Sequence, residues 1–464
     1  MLLHSRDHDD KKNISIRNRR VSRIVAVVGV LLFLGYFFVR VFFFGTSSSP
    51  LLDLRGPFQV SSGSSSSSSS SSSDISSNHN SKHSRAVKSN NDREDSTTKE
   101  TMRRRYDFKI YVYDLPEWAN FLVSQRDKHC RKSAFGTEIV IHERLLENSH
   151  GVRTMDPEEA DFFYVPIYAA CLVYKDFSLF EKYRFLVKKV IDFVITKPYW
   201  SRSLGSDHIW PFVHDFGGCL SWLDNKDRIY YKELRNSIFL SHLGDLTMGC
   251  FSTHKDVVIP PLVADERILS TKPSTGTHNK YLVHFRGTVN WYHHDKYPEL
   301  LIKSGVAELY SYGIRQHIVE HYGNASDMLV REGPSTDYIQ EVLDSTFCLC
   351  PRGFAPWSKR LFDAVVLGCI PVIIADNIEL PFEQYVDYRA FTVKVLDADV
   401  DKLDTILRNI PPGVIEEKQQ ALARVAQHFV YSDHVADGDA FDLVLWKLWS
   451  KVRRLRPSAN CAWE

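Results

Sequence analysis

Residues 345–382 read STFCLCPRGFAPWSKRLFDAVVLGCIPVIIADNIELPF, and they constrain the fold more than any other part of the chain. The apolar run at 346–350 predicts a strand, a Pro-Arg-Gly loop follows, and the pattern over 357–367 predicts a helix ended by Gly368. A second apolar run, 370–375, stops at Asp376. Two short apolar strands around one helix, punctuated by glycine and proline, predict a β-α-β unit in a parallel sheet covered on both faces. Sheets of this kind take ligands outside the carboxyl ends of their strands. Arg352, Gly353, Ser358, Arg360, Asp363 and Asp376 cluster there, and their chemistry suits a phosphate-bearing, hydroxyl-rich ligand such as a nucleotide sugar.

The N-terminus predicts a compartment. Residues 24–39, IVAVVGVLLFLGYFFV, carry no charge, and VFFFG extends the run past Arg40, which can snorkel. Arg6, Lys11, Lys12, Arg17, Arg19, Arg20 and Arg23 precede it. Positive-inside logic makes 1–23 a cytosolic tail and 24–44 a type II signal anchor, with everything beyond in the lumen. A cleaved signal peptide is the competing reading, but FFFG stands where a small-residue cleavage site would be needed. Residues 45–105, with ten consecutive serines at 64–73, have too little apolar surface to order themselves and predict a stem. Anchor, stem and body is the layout of Golgi glycosyltransferases, shared by sulfotransferases and some lumenal proteases. A sulfotransferase would need a glycine-rich phosphate loop near its first strand, where this chain has YVYDLPEW.

A body of about 360 residues is long enough for two domains. The first is expected at 106–264, with strands at 108–113, 161–165 and 207–213 and helices at 138–147 and 183–196. The polar stretch DERILSTKPSTGTH, 265–278, reads as a linker. The second domain is expected at 279–435, opening with a strand at 280–285 and holding helices at 298–303, 338–343 and 401–409. The remainder, 436–464, contains an apolar-periodic helix, 440–454, expected to pack across both domains. A net charge of +1 leaves no electrostatic footprint for nucleic acid. The eight cysteines all fall on the lumenal side of the expected anchor, where disulfides persist. Cys348 and Cys350 alternate along one strand, so they face opposite ways and make a poor metal motif.

A hydroxyl attacking an anomeric carbon needs a general base. The segment GSDHIWPFVHDFGG, 205–218, supplies a pool: Asp207, His208, His214 and Asp215. On the donor side, Arg286 and Gly287 follow the strand YLVHF, the arginine able to grip a phosphate and the glycine to admit it closely. Arg360 and Asp363 are three apart on one helix face, the arginine suited to a diphosphate and the carboxylate to ribose hydroxyls. Trp357 reads equally as a stacking platform or as core. Asp397-Ala398-Asp399 has the local shape of a metal–diphosphate motif. Asp401, however, reads as a helix N-cap and the nearby acids as its first turn, so no metal is expected. Asn324-Ala325-Ser326 is a glycosylation sequon; Asn13-Ile14-Ser15 matches too but would be cytosolic.

CLCPRGFAPWSKRL, GCIPVIIADNIELPF, KIYVYDLP and EEADFFYVP together resemble the exostosin-like members of glycosyltransferase family 47, above all the plant branch that builds cell-wall polysaccharides. The resemblance covers about 107–432. It implies the GT-B arrangement: two facing Rossmann-like β/α domains, a UDP-sugar donor, a polysaccharide acceptor, inversion, and no resident metal or other cofactor. Residues 205–218 are similar to the family's Gly-x-Asp-His and Pro-His-Asp-aromatic-Gly patterns, except that Phe212-Val213 separate Pro211 from His214. Arg286 lies within an F-x-G element, and Asp363 stands where members often carry Glu. GFAPWS is most similar to xylan-associated members, which implies UDP-xylose or UDP-glucuronate; galactose and arabinose donors stay open. The alternative within the family is a non-catalytic member that partners other glycosyltransferases in a synthase complex.

Overall fold

Every strand that can be paired lies parallel to its neighbours. The first sheet has the order β2-β1-β3-β4-β5-β6, from Ile110–Val112 (β1), Arg153–Thr154 (β2), Phe162–Tyr164 (β3), His208–Pro211 (β4), Ile238–Ser241 (β5) and Val257–Val258 (β6). The second has the order β11-β10-β9-β7-β8, from Tyr281–Gly287 (β7), Met328–Glu332 (β8), Ser345–Pro351 (β9), Ile370–Ile374 (β10) and Val393–Lys394 (β11). These come from a computed structural model that describes residues 106–455 apart from 175–178, 223–228, 248, 250, 274–279, 290–309 and 434–435. The expected anchor, the stem, Asn13 and the helix expected at 298–303 lie outside the described residues. Among the described residues no helix is long and apolar enough to cross a membrane.

Both sheets are doubly wound. Chain order reverses between β1 and β3 in the first sheet and between β7 and β9 in the second. Each reversal opens a crevice at the carboxyl edge, where sheets of this kind bind ligands. Burial on both faces explains the unbroken apolar runs: every residue of β9, β10, β4 and β5 is buried. The helix Lys359–Leu367 follows β9 and ends at Gly368, whose φ of 80° needs no Cβ. Cys348 is disulfide-bonded to Cys369 and Cys130 to Cys171, whereas Cys350 is a buried thiol.

The sequence expected only a linker at 265–278. The structure instead folds Glu266–Ser270 as a short helix, its N-cap Asp265 accepting from Arg267 N at 3.0 Å and Ile268 buried in the core. The acids after β11 also differ from expectation. Asp397–Lys402 forms a 3-10 turn and the α-helix starts only at Leu403, so Asp401 is not its N-cap.

All described residues belong to one compact unit. The loops after β5 and β10 form a strut between the sheets: Glu379 N donates to Gly244 O at 2.8 Å and Leu246 N to Asn377 O at 3.0 Å. The C-terminal helix Ala440–Leu455 adds a second tie. Asp442 accepts from Tyr106 Oη at 2.7 Å, ahead of β1, while Trp446 packs on Tyr385 beyond β10. A Cβ on Gly244 would fall 2.1 Å from Glu379 O. Gly244→Ala is therefore expected to push the strut apart at a cost of about 1–3 kcal/mol, seen as a lowered melting temperature; an unchanged melt would show that the strut bears no load.

Candidate active site

The crevice of the second sheet is built around an arginine that sequence patterns did not single out. Arg315 lies on the helix Ile314–Tyr322 with 7% of its surface exposed. Its guanidinium donates to Thr288 O (3.1 Å) after β7, and to Pro351 O (3.1 Å) and Arg352 O (2.9 Å) after β9. It also donates to Tyr310 Oη at 2.6 Å. One side chain thus holds both lips of the β7/β9 crevice. Burial lowers its pKa to about 10, which leaves it cationic at neutral pH. A Cβ on Gly353 would crowd Arg315 Nη2 at 3.1 Å. Before Arg315, Ser311 and Tyr312 sit at φ of 53° and 51°, left-handed values costing non-glycine residues about 1–3 kcal/mol each. This strained turn sets Tyr312 against Arg352, whose guanidinium lies 3.7 Å from the ring centroid.

Arg352 and Arg360 both follow β9, in the loop and in the helix after it. Arg352 is 6% exposed, its Nη1 lies 3.6 Å from Asp397 Oδ2, and its Nε has no hydrogen-bond partner among the described residues. Arg360 reaches back from the first turn of Lys359–Leu367 to the carbonyl of Arg286 and to Ser358 Oγ (3.2 Å). It lies over the Phe285 ring, and its Nε is also without a hydrogen-bond partner among the described residues. Gly287 admits it: a Cβ there would fall 2.5 Å from Arg360 Nη2. Two buried guanidinium N–H groups that no described residue engages, one of them in the first turn of a helix, suit an incoming anion.

Two residues expected on the donor are turned elsewhere. Arg286 spends its fork on Glu341, with Nε at 3.0 Å and Nη2 at 2.8 Å, and Ser335 and His284 hold the same carboxylate. Its contribution to the crevice is its carbonyl. Asp363 is 5% exposed and pairs with Lys359 and the hydroxyl of Tyr338, so it faces a neighbouring helix rather than the crevice. The two acids of Asp397-Ala398-Asp399 also part company: Asp397 faces Arg352, and Asp399 accepts from Lys402 at 2.8 Å.

The expected base pool divides in the same way. Asp207 and His208 lie at the amino end of β4, away from the carboxyl edge. Asp207 accepts from Ser203 and from Arg202 at 3.1 Å and contacts His208 Nδ1 at 2.7 Å, while His208 Nε2 meets Tyr113 Oη at 2.9 Å. His208 is fully buried between Phe163 and Trp200. The pair is a fully engaged structural fixture. His214 and Asp215 stand at the carboxyl end of β4. His214 is stacked on Phe135 and Phe216, and burial lowers its pKa to about 3. It is therefore neutral.

Asp215 differs from the other three. It makes no hydrogen bond or ion pair to the described residues. Burial raises its carboxyl pKa to about 6, with the positive field of Arg315 acting in the opposite sense. Phe216, the next residue, packs against Phe354 after β9, so this end of β4 lies beside the β7/β9 crevice. Aromatic contacts close the same gap: Phe216 meets Phe354 at 6.1 Å, and His242 meets Trp357 at 4.9 Å. Trp357 thus packs between the sheets. His242 was not marked by the sequence; its Nε2 lies 3.3 Å from Thr137 Oγ1, whose own proton goes to Ala134 O, so Nε2 is the donor.

Two parallel α/β sheets meet at their carboxyl edges, one lined with arginines and the other presenting a carboxylate that no described residue engages, an arrangement suited to group transfer between them. Residues 104–410 match the Exostosin GT47 domain. The chain is 36% identical over 350 residues to a probable glucuronosyltransferase of Oryza sativa subsp. japonica, covering 74% of this chain and 81% of the relative. It is 35% identical, at the same coverage of each chain, to a probable β-1,4-xylosyltransferase of Arabidopsis thaliana. A crystal structure of Anabaena HepE with UDP and glucose overlaps 74% of this chain and 100% of that chain, at a TM-score of 0.36 and 11% identity, a likeness too slight to carry an argument. The chain belongs to the exostosin GT47 family of glycosyltransferases.

Proposed function

We propose that this glycosyltransferase moves a sugar from a UDP-sugar onto a cell-wall matrix polysaccharide, with inversion, in a GT-B arrangement of its two sheets. The observation that carries the mechanism is Asp215, a carboxylate without a hydrogen-bond or ion-pair partner among the described residues, beside the arginine-lined crevice. In the reaction Asp215 takes the proton of an acceptor hydroxyl as that oxygen attacks the anomeric carbon from the face opposite the diphosphate. The bond from that carbon to the diphosphate oxygen breaks, and UDP leaves with the electron pair. Arg352, Arg360 and the N-terminus of Lys359–Leu367 meet the developing charge, so the proposal assigns no resident metal. Attack opposite the leaving group inverts the anomeric configuration.

The glucuronosyl- and xylosyltransferase names of the relatives favour UDP-glucuronate or UDP-xylose as donor and a xylan-type acceptor. The disulfides favour an oxidising lumen, and with them a Golgi type II topology anchored by 24–44. Full-length chain in detergent, given a panel of UDP-sugars, is expected to release UDP from one of these two donors faster than from UDP-galactose or UDP-arabinose. If it binds UDP but turns over no UDP-sugar with any polysaccharide, it is instead a structural member of a synthase complex. Asn324 is exposed in the turn between Ile314–Tyr322 and β8. Chain made in plant cells is expected to lose mass on glycosidase treatment, and Asn324→Gln to remove that shift. A glycan on Asn13 would reverse the proposed topology.

A further inference from the structure

The second sheet's crevice is occupied by the donor in this reading; the first sheet has a crevice of its own, between β1 and β3. Two hollows of about 540 and 500 Å³ share Asn120, Phe121, His142 and Leu146 in their walls and so form one groove. Its floor carries Tyr113, Asp114 and Leu115, which follow β1, and Tyr168, which follows β3. The groove therefore lies at the reversal point of the first sheet, where a doubly wound sheet takes its ligand. It is also joined to the reaction site. The helix Thr137–Glu147 begins beside His242, at Thr137, and carries His142 and Leu146 into the groove wall. From Thr137 to Leu146 the helix rises about 14 Å, enough for several linked sugar rings.

The walls select a ligand chemistry. Phe121 is 52% exposed, Leu146 42% and Met155 76%, an unusual concentration of large apolar side chains facing solvent. Between them stand polar groups: Asn120, Asp114, Glu117 and His142. A pyranose ring has apolar faces and a hydroxyl rim, and this alternation fits it. The charged side chains of the walls balance, Lys128, Arg131 and Arg153 against Asp114, Glu117 and Glu143; Arg131 pairs with Glu143, and Arg153 Nη1 donates to Leu146 O at 3.1 Å. His142 faces Tyr168 Oη at 2.8 Å, and burial lowers its pKa to about 4, so it is neutral. With no excess of positive charge on its walls, the groove gives a polyanion no electrostatic advantage over a neutral glycan.

We infer that this groove binds an uncharged stretch of the glycan acceptor, beyond the residue that reacts. The inference rests on the glycosyltransferase reading and names where its polymer lies. Full-length protein in detergent is tested by affinity electrophoresis through gels containing neutral xylan, xyloglucan, galactan or polygalacturonate, with UDP binding measured alongside. At least one neutral glycan is expected to retard the protein more than polygalacturonate does. A Phe121→Ser/Leu146→Ser variant, which alters only exposed side chains, is expected to bind that glycan about tenfold more weakly, a loss of about 1.4 kcal/mol, with UDP affinity unchanged. Retardation by no neutral glycan, stronger retardation by polygalacturonate, or full binding by the variant overturns the groove while leaving the donor reading intact. Loss of UDP binding in the unaltered protein would instead fail the donor reading.

Discussion

Asp215→Asn is expected to slow sugar transfer about 10²–10⁴-fold, the usual contribution of a positioned general base, with little effect on UDP affinity. The wild-type rate should also fall on the acid side of about pH 6, where burial has raised this carboxyl. The same shift makes a stability prediction of opposite sign. An aspartate in the unfolded chain titrates near 3.9, so the folded protein holds this proton more tightly than the unfolded one. The stability that proton contributes is present below about pH 4 and is lost as pH rises through about 6. The asparagine variant does not ionise, so it should melt above the wild type at neutral pH and converge with it in acid. A catalytic loss coupled to a gain in stability would mark a group placed for chemistry. If transfer persists in Asp215→Asn, the base lies elsewhere.

Arg315→Met is expected to damage the protein more broadly. The arginine satisfies the carbonyls of Thr288, Pro351 and Arg352 together, and no hydrophobic side chain can replace those bonds. Each carbonyl left buried without a donor costs about 1–3 kcal/mol, so the variant should lose several kcal/mol and bind UDP poorly. Arg315→Lys should not rescue it, because a compact ammonium lacks the planar fork that spans divergent acceptors. Melting temperature and UDP titration report the two losses. A stable Arg315→Met that binds UDP normally would mean the crevice lips are held by other contacts.

These residues show where sequence reasoning succeeds and where it stops. The β9–helix–β10 unit was legible because its strands are buried on both faces and its breaks are glycine and proline, both local signals. The strands β2 and β6 are only two residues each, too short to show periodicity. Arg286 looked like a phosphate ligand because its partner Glu341 lies 55 residues away and no local pattern links them. Arg315 escaped notice for the converse reason. It sits in Ile314–Tyr322, a helix the sequence patterns did not mark, and its acceptors are backbone carbonyls of distant loops, which carry no residue-type signature. Asp207-His208 and His214-Asp215 are a few residues apart and similar in type. They lie at opposite ends of one strand, and only the direction of that strand relative to the second sheet separates structure from chemistry.

UDP is expected at the β7/β9 crevice, held by guanidinium groups whose Nε atoms no described residue engages. Calorimetric titration of UDP into the full-length protein and its Arg360→Ala variant tests it most directly. Saturable UDP binding by the wild type is expected, with at least about tenfold weaker binding by the variant, the scale of one charge-assisted contact. Equal affinity in both, or no binding by either, would contradict it.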